Sequence, residues 1–359
     1  MSRIVSVAPV LPAFAYPQAE ITAMVAPLLT GGSPTRTATI ERLHAATGVQ
    51  RRHLALPLER YAELQTFTQA NDLFITLGTE LAARAVKVAL RDADLAPGDV
   101  DFLLFTSVTG VAAPSIDALL VAELGLRPDV KRLPSFGLGC VAGAAGIARV
   151  HDYLAGHPGD VGVLVSVELC SLTIQRGDDS MANLVSSGLF GDGASAVVLV
   201  GDERAASMRA SGPDVVATRS RLYPETAGVL GWDIGSSGFR IVLAASLADV
   251  VERHLGVDVG DLLAAHDLKP GDVPTWIAHT GGPRILEAAA RSLDLPREAL
   301  ELSWRSLARV GNLSSSGVLH VLADTLAQGG QQPGEPGLLF AHGPGISAEL
   351  VLLRWPDEV

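Results

Sequence analysis

The stretch "LAPGDVDFLLFTSVTG" at residues 95–110 returns as "LKPGDVPTWIAHTG" at 268–281. Both copies read Leu-x-Pro-Gly-Asp-Val, then an apolar run of strand character, then Thr-Gly, and self-similarity of this kind marks a duplicated unit. The match continues outward. Pro114, Ile116, Leu124 and Leu126 are spaced as Pro283, Ile285, Leu293 and Leu295 are, which predicts a turn and an amphipathic helix in each copy. Gly139-Cys140 then opens "VAGAAGIARVHDYLAG", Gly311-Asn312 opens "LSSSGVLHVLADTLAQG", and both segments have helical periodicity. Last come "LFGDGASAVVLV" at 189–200 and "LFAHGPGISAELVL" at 339–352, each expected to form a hairpin around a glycine turn. Four matched elements in one order divide the chain into two similar α/β halves, 1–215 and 216–359. The segments after Cys140 and Asn312 are rich in Gly, Ala and Ser and poor in charge on every face. They are therefore expected to be central helices between sheets, with their N-termini close together.

Composition narrows the function. The chain has 359 residues, 48% of them hydrophobic, enough to bury a large core. A net charge of −12 opposes general attraction to nucleic acid or to an anionic membrane surface. Two cysteines give no disulfide framework, and the nine histidines lack the spacing of a metal site, so a reducing cytoplasm and no metal are expected. Arg3 followed by "IVSVAPVLPAFA" imitates a signal peptide, but Pro9 and Pro12 interrupt the apolar run and "RIVSV" alternates as a strand does. No apolar run approaches the ~20 residues of a membrane span.

The chemistry lies where the two copies differ. A helix start presents unpaired N–H groups and partial positive charge, so Cys140 there is a candidate nucleophile with a stabilised thiolate. A small buried hydrophobe is the competing reading. His279 ends its strand where the first copy has Val108, and Asn312 opens the helix that answers to the one opened by Cys140. Taken singly, His279 is equally readable as a strand-end histidine and Asn312 as a helix N-cap. Together they make a thioester-handling set: Cys140 takes an acyl group, while His279 and Asn312 donate hydrogen bonds to a thioester oxygen that becomes an enolate on decarboxylation.

The motifs "FGLGCVAGAAG", "AHTGGPRIL", "GNLSSSGVLHVL" and "GPGISAEL" resemble, from end to end of the chain, those of bacterial type III polyketide synthases, the chalcone synthase-like enzymes. The resemblance implies a thiolase-like αβαβα five-layer fold, a homodimer, and a catalytic triad of Cys140, His279 and Asn312. It further implies an acyl-CoA starter loaded on the cysteine, extension by decarboxylated malonyl-CoA, cyclisation in the same cavity, and no cofactor. Phe190 falls on a gatekeeper position and Ile241 stands where the family usually has a second phenylalanine. Cys170, Leu172, Thr173, Thr109 and Ser314 fall on cavity positions. Arg42, Gly281 and Gly282 are the candidates for CoA contact, whereas Arg51 and Arg52 read as ordinary surface charges. Ile241 and the bacterial character favour an aliphatic starter giving an alkylresorcinol or alkylpyrone, with small malonyl-derived aromatics still open. Two alternatives stand beside this reading: an initiating β-ketoacyl-(acyl carrier protein) synthase, which carrier-protein dependence would reveal, and a non-catalytic acyl-binding partner, against which the intact triad argues.

Overall fold

The computed structural model describes residues 1–208 and 210–356. Its strands are β1 (Ser2–Val10), β2 (Phe14–Pro17), β3 (Arg51–Leu54), β4 (Phe102–Thr106), β5 (Lys131–Ser135), β6 (Val161–Leu169), β7 (Asp192–Gly201), β8 (Asp214–Leu222), β9 (Leu230–Gly235), β10 (Gly238–Leu243), β11 (Thr275–Ala278), β12 (Pro336–Gly343) and β13 (Ser347–Arg354). The helices are α1 (Gln18–Thr30), α2 (Pro34–Ala46), α3 (Phe67–Asp92), α4 (Ile116–Leu124), α5 (Ala142–Ala155), α6 (Met181–Leu189), α7 (Asp202–Met208), α8 (Leu247–Ala264), α9 (Pro283–Ser292), α10 (Glu301–Val310) and α11 (Gly317–Gln328).

The strands of the two halves form sheets of the same plan. In the first the order is β1-β7-β6-β4-β5, and in the second β8-β13-β12-β11. Pairing of Ser2 with Val215 and Arg3 with Asp214 joins them edge to edge into one nine-stranded sheet. The segment that imitates a signal peptide is therefore the nine-residue strand β1, hydrogen-bonded on both sides.

Three apolar clusters fill the spaces between layers. Alternation along each strand sends Leu104, Leu164, Val197 and Leu199 to a central cluster with α5 and α11, which the second sheet closes with Ile277, Leu339, Ala341 and Val351. The opposite face of the first sheet packs Leu103, Val163, Val198 and Val200 against α3. The opposite face of the second packs Leu338, Phe340 and Leu352 against α8 and α9. The result is the five-layer αβαβα order that the family resemblance implied, with the central helices between sheets as expected from the duplication. Sliding a strand by one residue would move its whole set to the wrong layer, at about 1.5–3 kcal/mol for each large side chain exposed.

The central helices approach as closely as their small residues allow. A Cβ on Gly143 of α5 would lie 2.2 Å from the Ser315 carbonyl oxygen, just ahead of α11. The starts of the two helices do lie side by side.

One expected element is different. "LFGDGASAVVLV" is not a hairpin: Asp192–Gly201 is a single strand, and Leu189-Phe190 ends α6 and leads into it. Its sheet partner β6 ends at Leu169, and residues 170–191 are inserted between the two strands. In the second half β12 and β13 form the hairpin that was expected.

Candidate active site

Cys140 lies in the short 3-10 turn Gly139–Val141 that leads into α5, and only 8% of its surface is exposed. Its thiol donates to Ser314 Oγ at 3.6 Å. Ser314 opens the corresponding 3-10 turn before α11, and both turns begin with a left-handed residue, Gly139 at φ 57° and Ser314 at φ 48°. By this geometry Cys140 answers to Ser315, and Asn312 stands one turn ahead of the position equivalent to the thiol.

Asn312 is fixed by its neighbours. Its backbone bridges to the strand entry at Phe190, with N–H donating to Leu189 O and C=O accepting from Gly191 N, both at 2.9 Å. Its side-chain Oδ1 accepts from Ser314 N at 2.8 Å. With the oxygen so occupied, the amide NH2 is the end left for another acceptor.

His279 follows β11 directly, its N–H donating to Phe340 O at 3.0 Å. It is 5% exposed, and neither ring nitrogen has a hydrogen-bond partner among the described residues. A Cβ on Gly317 would lie 3.1 Å from His279 Nδ1, so the ring rests on the first residue of α11. The turn Ser314–Ser316 thus gathers the site: Cys140 reaches it through Ser314, Asn312 through the Ser314 N–H, and His279 through Gly317.

Protonation departs from the expected lowered thiol. Burial pushes the Cys140 thiol up to about 12, and the nearby Glu168 carboxyl acts in the same direction, against hydrogen bonds from Ser314 and Asn312. The helix start does not offset the loss of water. Burial, with a smaller contribution from His342, lowers His279 to about 3. The free protein at neutral pH therefore holds a thiol and a neutral imidazole, and the imidazole has a lone pair to receive the proton.

Around the thiol lies a pocket of about 330 Å³, its mouth included. Thr109, Cys170, Phe190, Ile241 and Ser314 line it as expected. Thr173 does not; it lines a neighbouring pocket, where its hydroxyl donates to Cys170 O at 2.8 Å. Leu172 lines neither, being packed into the outer core of the first half because the short turn after β6 directs it there. Arg42 is exposed on α2. Gly281 and Gly282 form the turn from His279 into α9, Gly282 at φ 121°, a conformation that favours glycine.

Three features were missed. Trp232 lines the pocket and is the cross-strand partner of Ile241 in the β9–β10 hairpin, so the aromatic missing at 241 is supplied from the opposite strand. Register across a hairpin is not written in either strand alone. Glu168, wholly buried, accepts from Thr109 Oγ1 at 2.9 Å, Val108 N at 3.1 Å and Ser315 Oγ, tying the segment after β4 to the turn Ser314–Ser316. A lone carboxylate in the apolar run "VGVLVSVELC" was a legible signal for it. Arg52 is not a surface charge: it is 3% exposed, with its side chain held by Gln18 and the Phe190 carbonyl.

The layer order and the paired central helices are those of a thiolase-like fold. Residues 5–203 match the model for the N-terminal domain of chalcone and stilbene synthases, and residues 214–355 that for their C-terminal domain. The chain is 54% identical over 355 residues to a 1,3,6,8-tetrahydroxynaphthalene synthase of Streptomyces peucetius subsp. caesius, covering 99% of this chain and 93% of the relative. It is 32% identical over 327 residues to a phloroglucinol synthase of Pseudomonas fluorescens, covering 89% of this chain and 90% of the relative. The crystal structure of 1,3,6,8-tetrahydroxynaphthalene synthase from Streptomyces coelicolor A3(2), described as a bacterial type III polyketide synthase, superposes with a TM-score of 0.92 at 30% identity over 99% of each chain. The chain belongs to the chalcone and stilbene synthase family and is a type III polyketide synthase of the bacterial kind.

Proposed function

We propose that this synthase uses malonyl-CoA both as starter and as extender and closes the chain into a small polyhydroxylated aromatic, of the kind for which the tetrahydroxynaphthalene synthases are named. The observation that carries this reading is the 54% identity along nearly the whole chain to one of them. Trp232, opposite Ile241, returns a large aromatic side chain to the pocket wall, which removes the ground on which Ile241 alone favoured a long aliphatic starter.

The residues take the following parts. Cys140 Sγ attacks the starter thioester as its proton passes to the neutral His279, and CoA leaves with a proton. A malonyl-CoA then binds with its thioester oxygen toward His279 and the Asn312 amide. Loss of CO2 leaves an enolate that these donors stabilise, and the enolate carbon attacks the acyl-Cys140 carbonyl. The lengthened chain returns to Cys140 for the next round. Thioester exchange, decarboxylation and aldol or Claisen closure are redox-neutral, so the reaction requires no cofactor beyond its CoA substrates. Arg42, Gly281 and Gly282 are the proposed CoA contacts, Arg42 for phosphate and the glycine turn for the pantetheine arm.

A homodimer is part of the reading. Strand β5 is the sheet edge in the first half, and Leu133, Phe136 and Leu138 on and beside it are 45%, 48% and 38% exposed. An apolar open edge favours pairing with a second copy. Light scattering on the wild type and on Leu133→Arg tests this, a monomeric wild type being the adverse result. No helix among the described residues is long and apolar enough to cross a membrane, and two unpaired cysteines suit the reducing cytoplasm we propose.

The decisive experiment is incubation with malonyl-CoA alone, with mass spectrometry of the products. An aromatic built only from malonyl units is expected. Product only on addition of an aliphatic acyl-CoA, or only with a carrier protein, would overturn the reading.

A further inference from the structure

Arg52, in β3, is a buried charge with one hand free. Its Nε donates to Gln18 Oε1 at 2.9 Å and its Nη1 to Phe190 O at 2.7 Å, while Nη2 has no hydrogen-bond partner among the described residues. Leaving such a donor unpaired away from water costs about 1–3 kcal/mol, more for a charged group. Burial lowers the guanidinium only to about 10, so it keeps its charge at neutral pH.

The residue that carries this donor lines a second pocket. Arg52 lines a space of about 520 Å³, mouth included, with Tyr61, Ser171, Thr173 and Asn183. Cys170, Phe190, Trp232 and Ile241 line both this pocket and the one at Cys140. A chain attached to Cys140 that passes these four side chains enters the field of Arg52.

Asp192 acts on that charge from nearby, but no carboxylate among the described residues pairs with it by contact. Asp192 accepts instead from Ala55 N at 2.6 Å, Ser171 N at 2.8 Å and Ser171 Oγ. A planar guanidinium with a free N–H in a pocket of hydroxyls and apolar walls suits a carboxylate.

We propose that the second pocket receives the distal carboxylate of the acyl chain carried on Cys140, with Arg52 Nη2 as its anchor. The proposal rests on malonyl-CoA being the starter. The malonyl group passes from the CoA sulfur to the Cys140 sulfur, the thiol proton leaves with CoA, and the starter carboxylate is retained. The starter carboxylate is directed past Cys170 toward Arg52 on loading, and each extension, inserted at the Cys140 end, carries it further into the second pocket. A neutral acyl group offers Nη2 no such partner, which makes Arg52 a specificity-determining residue for the starter.

The test is competition for Cys140 between malonyl-CoA and the neutral isostere isovaleryl-CoA, read as intact-protein mass after a single loading. Wild type should carry malonyl rather than acetyl on Cys140 and should prefer it to isovaleryl. Arg52→Gln, checked for folding by circular dichroism, should lower the malonyl-to-isovaleryl ratio by about tenfold or more, the value of a lost charge-assisted hydrogen bond. A folded variant with the wild-type ratio would refute the anchor. Should the variant not fold, the wild type decides alone: equal loading of the isostere, or acetyl in place of malonyl on Cys140, overturns the proposal. These results are separable from the malonyl-only reading, because wild type making its aromatic from malonyl-CoA with no carboxylate preference sinks the anchor and spares that reading. Failure of wild type to use malonyl-CoA alone sinks both.

Discussion

The two halves share a strand order and a central helix entered by a left-handed residue and a 3-10 turn, yet they bring different things to the centre. The first contributes the thiol, and the second the imidazole and the amide. At matching strand ends it has Val108 where the second has His279. The first half also carries an insertion between β6 and β7, residues 170–191, whereas β12 and β13 meet through a tight turn. That insertion supplies Cys170, Thr173 and Phe190 to the two pockets, while the tight turn contributes Pro344. The scaffold was kept twice, and the insertion in one copy meets the β9–β10 hairpin of the other to wall the acyl chamber.

This division of labour can be broken most severely at the thiol. Cys140→Ala should remove acyl-enzyme formation and lower product by roughly a thousandfold or more, since the sulfur that carries the acyl chain is lost. Intact mass after acyl-CoA treatment and product quantification check it. Product at the wild-type rate would mean the halves are not divided as described.

On the other side, His279→Gln and Asn312→Ala should leave Cys140 present but lower malonyl-CoA decarboxylation by about 10²–10³, the usual cost of an oxyanion donor. Release of labelled CO2 is the measurement. A decarboxylation rate within twofold of wild type in either variant would remove that residue from the site.

The helix starts separate stability from chemistry. A methyl on Gly143 meets the Ser315 backbone oxygen, which cannot swing aside, so Gly143→Ala should cost about 1–3 kcal/mol and lower the melting temperature. A methyl on Gly317 meets Thr280 Oγ1 and the His279 ring. Gly317→Ala should therefore reduce decarboxylation more than it reduces stability. Thermal melts and CO2 release on both variants give the comparison, and equal effects on the two readouts would abolish the distinction.

The smallest change in rate, but a visible one in product, is expected at the hairpin. Trp232→Ala opens the wall opposite Ile241 and should admit longer neutral starters, seen as new product masses when hexanoyl-CoA is supplied. An unchanged product set would remove Trp232 from the determinants of pocket size.

Much of this was readable without coordinates because duplication prints itself twice. The repeat at 95–110 and 268–281 located the strands β4 and β11, and the small-residue runs located α5 and α11, since only glycine and alanine permit such close packing of helices between sheets. The same comparison went wrong where the copies diverge. Matching Leu189-Phe190 to Leu339-Phe340 equated a helix end with the middle of a strand, because an insertion shifts the pairing without altering the local residues. Pairing Cys140 with Asn312 missed the equivalence with Ser315 by one turn, which the left-handed residues reveal only as backbone angles.

What the sequence determined by itself is therefore the periodic and the repeated: two matching α/β halves, the central helices between sheets, and the types of group from which a thioester site is made. Only the tertiary structure decided what depends on distance between segments far apart in the chain. It placed Trp232 opposite Ile241, directed Leu172 into the core, joined Glu168 to Thr109 and Ser315, and buried Arg52 with a free donor beside the acyl pocket. The physical reason is that patterning is enforced locally by burial, residue by residue, whereas a pocket is the space left over when separate segments meet.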